Sequence, residues 1–124
     1  MAGRKPIAHA SQTRAWRWIA FTGAALLVLV SVHMVANHFV VQTTGGLRTY
    51  GQVLDYIANP LIFAIENVFL VVVTMHAMLG IRSVLLDLGF GERGRLRIDR
   101  VLVALGTITV GYGFFLLVTL ASKA

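Results

Sequence analysis

The sequence predicts an all-α integral membrane protein with three transmembrane helices. Three observations support this fold class. Of the 124 residues, 57% are hydrophobic and only 13% are charged, and the mean hydropathy is +0.79. A soluble domain of this length would need a larger charged surface. The apolar residues form three runs, each long enough to cross about 30 Å of hydrocarbon, and the basic residues concentrate at alternate ends of these runs.

The three runs define the predicted helices of a single domain, residues 1–124. The first covers approximately residues 18–41, the second 60–86 and the third 101–122. Backbone polar groups cannot stay unpaired in lipid, so each run must be helical. The core helices of a soluble bundle would show polar faces, which these runs lack. A signal peptide would have a shorter apolar core, so we predict that the first run is retained as a span.

The distribution of basic residues predicts the orientation in the membrane. The stretches before the first span and between the second and third spans are rich in arginine, whereas the first loop has only Arg48 and the C-terminus only Lys123. The N-terminus and the second loop are therefore predicted to be cytoplasmic. This placement accounts for the formal net charge of +6 without a nucleic-acid partner. The residues concerned are Arg4, Lys5, Arg14, Arg17, Arg93, Arg95, Arg97 and Arg100.

The loops carry helix signals and no cysteine chemistry. Thr49 is a candidate cap for a short interfacial helix, and Pro60 suits the first turn of the second span. The glycines of the second loop are predicted to interrupt it. Because the chain has no cysteine, it cannot form disulfides or ligate an iron–sulfur cluster through thiolates.

Polar side chains inside the spans are costly in lipid and therefore indicate function. They are His33, Asn37, His38, Glu66, Asn67, His76 and Arg82. His76 is predicted to lie about 16 Å below the cytoplasmic end of the second span. Gly80, one turn later, clears the same helix face, which suits axial ligation of haem iron. The same spacing equally suits a histidine bonded to a neighbouring helix across a glycine packing notch.

Two histidines lie in the outer half of the first span. His33 is predicted to share a helix face with Asn37, whereas His38 is about 140° away around the helix, so His33 and His38 cannot easily bind one metal ion. For His38 we favour solvation over a bond to a haem propionate. The predicted depths of His33 and His76 differ by several ångströms. They can clamp one haem if helix tilt removes the difference; otherwise each serves a separate haem with a second ligand from another chain.

Three charged residues in or next to the second span have several possible roles. Arg82 can extend to the lipid headgroups, neutralise a haem propionate or polarise a quinone carbonyl. Asp87 can mark the interface or relay protons to a reduced quinone. Glu66 can be protonated, paired with another subunit or part of a proton path, and the sequence does not choose among these. The predicted third span has no ionisable residue, so no chemistry is assigned to it.

The pattern His76-x-x-x-Gly80-x-Arg82-x-x-x-x-Asp87 resembles the second-span motif of the cytochrome b-type membrane-anchor subunits of succinate dehydrogenase. The helix number, the basic N-terminus and the short C-terminus are also similar, so that the resemblance covers approximately residues 14–121. It implies a helical bundle shared by several subunits. The sequence lacks the serine–arginine motif of the partner anchor chain, which favours the D-type anchor.

The resemblance also implies roles for individual residues. His76 would be an axial haem b ligand, and Asp87 would lie near the quinone pocket. In two-haem versions of the complex a first-span histidine serves the distal haem, and His33 matches it better than His38. Some family members have a quinone-binding tyrosine where this chain has Leu88, so the hydroxyl donor would have to come from elsewhere.

The implied function is electron transport in the respiratory chain and the tricarboxylic acid cycle. The chain would sit in the cytoplasmic (inner) membrane as a subunit without catalytic residues of its own. Its expected partners are an FAD-containing flavoprotein subunit, an iron–sulfur subunit, a second anchor subunit, quinone and the lipid bilayer. The alternatives are a haem-free structural anchor, the cytochrome b subunit of a fumarate reductase, and a small oligomeric transporter that uses Glu66 for ion coupling.

Overall fold

Four α-helices account for nearly all of the described chain. The computed structural model describes residues 8–39 and 48–124, with side chains from residue 14 onward. The helices are α1 Ala8–Phe39, α2 Tyr50–Ala58, α3 Pro60–Asp87 and α4 Glu92–Ala121, and these ranges contain no strand. Three segments, Arg14–Phe39 of α1 together with α3 and α4, are long and apolar enough to cross a membrane. The predicted all-α membrane fold class is confirmed.

The predicted elements map onto these helices, and the start of the third helix differs. The predicted end of the first span at Val41, and the basic residues Arg4 and Lys5, lie outside the described residues. The helix of the third span begins at Glu92 rather than near residue 101. Gly94 does not interrupt it, because a single glycine inside a helix costs only about 1 kcal/mol. Asp99, which falls between the predicted second and third spans, therefore lies on α4.

Side-chain caps fix the corner between α2 and α3. The Thr49 hydroxyl accepts a hydrogen bond from the Gln52 amide, and the Gln52 side chain accepts one from the Thr49 amide at 2.9 Å. This capping box starts α2 as predicted. Asn59 accepts hydrogen bonds from the first amides of α3, and Pro60 follows it at the first helical position. A single residue thus joins the short helix to the second span.

The turn between α3 and α4 depends on glycine. Gly89 has φ +81°, in the left-handed region that other residues rarely adopt. Its amide bonds to the Leu86 carbonyl at 3.2 Å, which closes the C-terminus of α3. Gly91 is extended and precedes the first turn of α4. The two long helices can therefore reverse direction within a few residues.

Helix α3 is the centre of the bundle. It packs against α1, α2 and α4, whereas the backbones of α1 and α4 do not approach each other closely within residues 8–39 and 48–124. Three buried residues of α2 and α3 form a small core where α2 lies across the end of the spans; they are Tyr56, Ile57 and Ile62. Elsewhere large apolar side chains are exposed, as expected for spans that face lipid or partner helices.

Candidate functional site

Five polar residues form a connected network where α2 meets α1 and α3. Oε1 of Glu66 lies 2.7 Å from Nδ1 of His33 and accepts a 2.5 Å hydrogen bond from the Tyr56 hydroxyl. Asn37 donates to the Tyr56 oxygen at 2.9 Å and to the His33 carbonyl at 2.6 Å. Arg48 donates to the Asn37 carbonyl at 2.7 Å. We call these five residues the His33 cluster.

The direction of these hydrogen bonds assigns the His33 tautomer. The Asn37 amide nitrogen can only donate, so the Tyr56 oxygen accepts from it and the Tyr56 O–H points to Glu66. The same carboxylate oxygen of Glu66 contacts His33, and a carboxylate only accepts. With Glu66 ionised, Nδ1 of His33 therefore carries the proton. In the neutral imidazole Nε2 then holds the free lone pair, and Nε2 has no protein partner within the described part of the chain.

Helix α2 covers this network. Tyr56 is only 5% exposed, and the Arg48 guanidinium lies 5.5 Å from the centre of its ring. Burial, reinforced by the hydrogen bond to Glu66, raises the pKa of the Tyr56 phenol. The phenol therefore stays neutral and remains a hydrogen-bond donor to Glu66 over the physiological pH range.

His76 makes a different kind of contact with α1. Its Nδ1 lies 3.0 Å from Oγ1 of Thr22. The Thr22 hydroxyl lies 2.7 Å from the Trp18 carbonyl and 3.1 Å from the Ile19 carbonyl. When it donates to one of these carbonyls, its oxygen accepts from Nδ1 of His76. A Cβ at Gly23 would lie 3.4 Å from the His76 ring. We call Thr22, Gly23 and His76 the His76 contact.

The His76 contact matches the interhelical bond across a glycine notch that the sequence left open. The glycine of the notch is Gly23 on α1, since a Cβ at Gly80 would meet no atom within 4 Å. This contact does not preclude ligation. Only Nδ1 is engaged, and Nε2 of His76 has no protein partner among residues 8–39 and 48–124.

The two histidines lie farther apart in depth than predicted. His33 is level with Glu66, and His76 is level with Thr22. Glu66 precedes His76 by ten residues on α3, which corresponds to about 15 Å along the helix. The predicted difference of several ångströms is too small, because it assumes that the cytoplasmic ends of the first and second spans are level. In the folded bundle these two ends are not level, since His76 lies beside Thr22, near the start of the first span.

The predicted motif is divided between two faces of α3. Gly80 and Asp87 lie within about 40° of His76 around the helix, whereas Arg82 is roughly 120° away. Arg82 points toward α4, where its Nε donates to Oδ1 of Asp99 at 2.5 Å. Both side chains of this ion pair are about one-third exposed, at 36% and 39%. The sequence analysis did not identify this partner, because Asp99 precedes the predicted third span.

A groove of about 720 Å³ runs between α3 and α4 beside this ion pair. Apolar side chains and glycines form its walls, among them Met75, Met78, Leu102, Gly106 and Gly111. Arg82 and Asp99 supply charge at one end. The groove therefore lies on a different face of α3 from His76, and the third span contributes an ionisable residue that the sequence had not assigned to it.

Of the remaining predicted residues, Asn67 is half-buried and donates to the Phe63 carbonyl at 2.8 Å, whereas His38 and Asp87 are exposed. His38 packs edge-on against Phe39 with ring centres 5.0 Å apart and has no hydrogen bond within the described chain. Asp87 is exposed at the end of α3. No group of three His, Asp or Glu side chains that could hold a metal ion occurs in residues 8–39 and 48–124. Any metal held by these histidines would need ligands from its own cofactor or another chain.

Known proteins are similar to this chain over most of its length. Residues 4–121 match the family model described as succinate dehydrogenase/fumarate reductase transmembrane subunit. A succinate dehydrogenase hydrophobic membrane anchor subunit of Archaeoglobus fulgidus is 29% identical over 103 residues, which cover 83% of this chain and 86% of that protein. A protein of the same name from Thermoplasma acidophilum is 26% identical over 102 residues, covering 82% and 81% respectively.

Proposed function

Because this chain belongs to the family of succinate dehydrogenase/fumarate reductase transmembrane subunits, we propose that it is the haem b-ligating anchor subunit of a succinate dehydrogenase. Its family makes it a multi-pass membrane-anchor subunit of an oxidoreductase complex. The finer proposal is that it is a D-type anchor in the cytoplasmic membrane. It would hold haem and help to form the quinone-reduction site of the respiratory chain and tricarboxylic acid cycle.

The state of His76 carries the haem proposal. A neutral imidazole with Nδ1 committed to a hydrogen bond and Nε2 unpartnered is the form that ligates metals. Thr22 fixes the ring by accepting from Nδ1 at 3.0 Å. The open space beside Gly80, on the same face, leaves room for a flat group. A bound haem b would supply one-electron transfer without an open coordination position if both axial ligands were histidines.

His33 supports a second haem. It has the same pattern, with Nδ1 bonded to Glu66 and Nε2 unpartnered within the described chain. A single iron held by both histidines would have to lie within bonding distance of both, which a separation of about 15 Å along α3 does not allow. We therefore propose two haems, one at each histidine, with the second ligand of each from another anchor chain.

Quinone reduction is proposed near Asp87. This exposed carboxylate ends α3 on the same face as His76, and its oxygens can hold and release a proton beside a reduced quinone. For Arg82 and His38 the contacts support other roles, because Arg82 is paired with Asp99 and His38 is exposed. Their roles toward a haem propionate or a quinone stay predictions.

The proposed partners are a flavoprotein subunit with FAD, an iron–sulfur subunit and a second anchor subunit. Exposed arginines at the start of α4, Arg93, Arg95, Arg97 and Arg100, offer a basic surface for the first two at the cytoplasmic side. The transporter alternative depended on Glu66 as a coupling residue. Its two hydrogen bonds within the His33 cluster and the family of the chain favour the anchor instead.

The test is a dithionite-reduced minus oxidised optical spectrum of the purified complex. Wild type, His76→Ala and His33→Ala are compared, with Thr109→Val as control, since Thr109 is exposed and its hydroxyl bonds to the Leu105 carbonyl of its own helix. We expect a b-type signal that falls by half in each histidine variant and is unchanged in the control. Complete loss in either variant would indicate one shared haem. A wild-type complex without haem would leave a plain structural anchor.

A further inference from the structure

We propose that Glu66 is the positioning residue for His33, and that its carboxylate gives the haem at His33 a lower reduction potential than the haem at His76. The inference rests on the proposed function, because it assumes haem ligation by His33. The groups that contact Nδ1 of the two histidines differ in charge. Nδ1 of His33 meets a carboxylate oxygen, whereas Nδ1 of His76 meets the neutral hydroxyl of Thr22.

The His33 ring is held on two sides. Glu66 accepts from Nδ1 at 2.7 Å, and the ring of Phe69 packs against the imidazole with centres 5.2 Å apart and planes tilted by 32°. Glu66 is in turn held by the Tyr56 hydroxyl at 2.5 Å. These contacts define both the tautomer and the plane of the ring, and they direct Nε2 away from the carboxylate.

The partner of Nδ1 determines how strongly Nε2 donates to a metal. A carboxylate that accepts from Nδ1 makes the imidazole more basic, and this stabilises the higher oxidation state of the bound iron. The negative charge of Glu66 acts in the same direction. The Thr22 hydroxyl lacks a charge and already donates to the Trp18 carbonyl at 2.7 Å. Two histidines of one chain would therefore support haems of different potential.

Tyr56 moderates the effect of Glu66. Its hydroxyl donates to the same oxygen, Oε1, that contacts His33. Two donors on one carboxylate oxygen share its acceptor capacity. Removal of the Tyr56 hydroxyl would strengthen the bond from Nδ1 of His33, whereas neutralisation of Glu66 would weaken it. The two substitutions should shift the potential in opposite directions, which a merely structural role does not predict.

The experiment is an optical redox titration of the b-type haem in the purified complex. Glu66→Gln should raise the potential of one haem component by about 59 mV, equivalent to a tenfold change in the one-electron equilibrium. Tyr56→Phe should lower the same component. Thr22→Val, which alters the partner of His76, serves as the matched variant and should leave that component unchanged.

His33→Ala separates the inference from the proposed function. If His33→Ala leaves haem content intact, His33 is not a ligand and the proposed function fails at this residue. If it removes half of the haem while Glu66→Gln leaves the potential unchanged, only the positioning role is overturned. If the complex does not assemble with Glu66→Gln, the Tyr56→Phe variant is the deciding test. A lowered haem reduction potential in Tyr56→Phe supports the proposal, and an unchanged or raised potential overturns it.

Discussion

The two ends of the contact between α1 and α3 are held together in different ways. In the His33 cluster a carboxylate collects hydrogen bonds from an imidazole and a phenol, and α2 covers the group. In the His76 contact a hydroxyl and a glycine let the helices approach closely. Both arrangements fix a histidine through Nδ1. They differ in charge, burial and the number of groups that depend on one residue.

The difference shows that residue type alone does not define a histidine site in a membrane. Glu66 is the central residue of the His33 cluster. Its loss would leave several polar groups unpaired in hydrocarbon, which destabilises the fold. Loss of the Thr22 hydroxyl would leave one polar group unpaired, Nδ1 of His76, because the Trp18 carbonyl keeps its bond within the helix. The stability of the first region should therefore depend on electrostatics and that of the second on packing.

The largest effect is expected from Glu66→Ala. It leaves the Nδ1 proton of His33 and the Tyr56 hydroxyl without an acceptor, and we expect a loss of about 3 kcal/mol. Thr22→Val should cost about 0.6 kcal/mol, the average for a hydrogen bond between membrane helices. Unfolding of the purified protein by SDS, followed by circular dichroism, measures both. Equal losses would show that the two regions do not differ in the way we describe.

A bulky residue at Gly23 tests the packing side of the comparison. Because a Cβ there would already lie 3.4 Å from the His76 ring, Gly23→Leu should displace the imidazole and cost about 2 kcal/mol. Gly23→Ala should be tolerated, since 3.4 Å is an ordinary contact distance. Gly111→Leu is the matched control on α4, where a Cβ would meet no atom within 4 Å.

The glycine variants are tested by SDS unfolding and by the optical spectrum of the b-type haem in the purified complex. We expect Gly23→Leu to reduce the signal assigned to His76 and to leave the signal assigned to His33. If Gly111→Leu were equally harmful, the effect would arise from leucine on a helix surface in general and would say nothing about the notch at His76.

The sequence predicted the parts of this molecule that lipid and local chemistry dictate. Uncharged runs must be helical in a membrane, and Thr49 caps α2 through contacts within one turn. The pairing of His33 with Glu66 was not predicted, because the two residues are 33 positions apart and neither helix alone determines its alignment with the other. Asp99 was missed because the start of α4 lies outside the apolar run.

The smallest effect is expected outside both regions, at the ion pair of Arg82 and Asp99. Its charges are about one-third exposed, so solvent and headgroups screen them, and the coupling energy should be about 0.5 kcal/mol. A double-mutant cycle of Arg82→Gln and Asp99→Asn in SDS unfolding measures it. A coupling as large as the loss in Glu66→Ala would mean that this pair is buried in the assembled complex. Charge would then stabilise α3 against α4 as well as against α1.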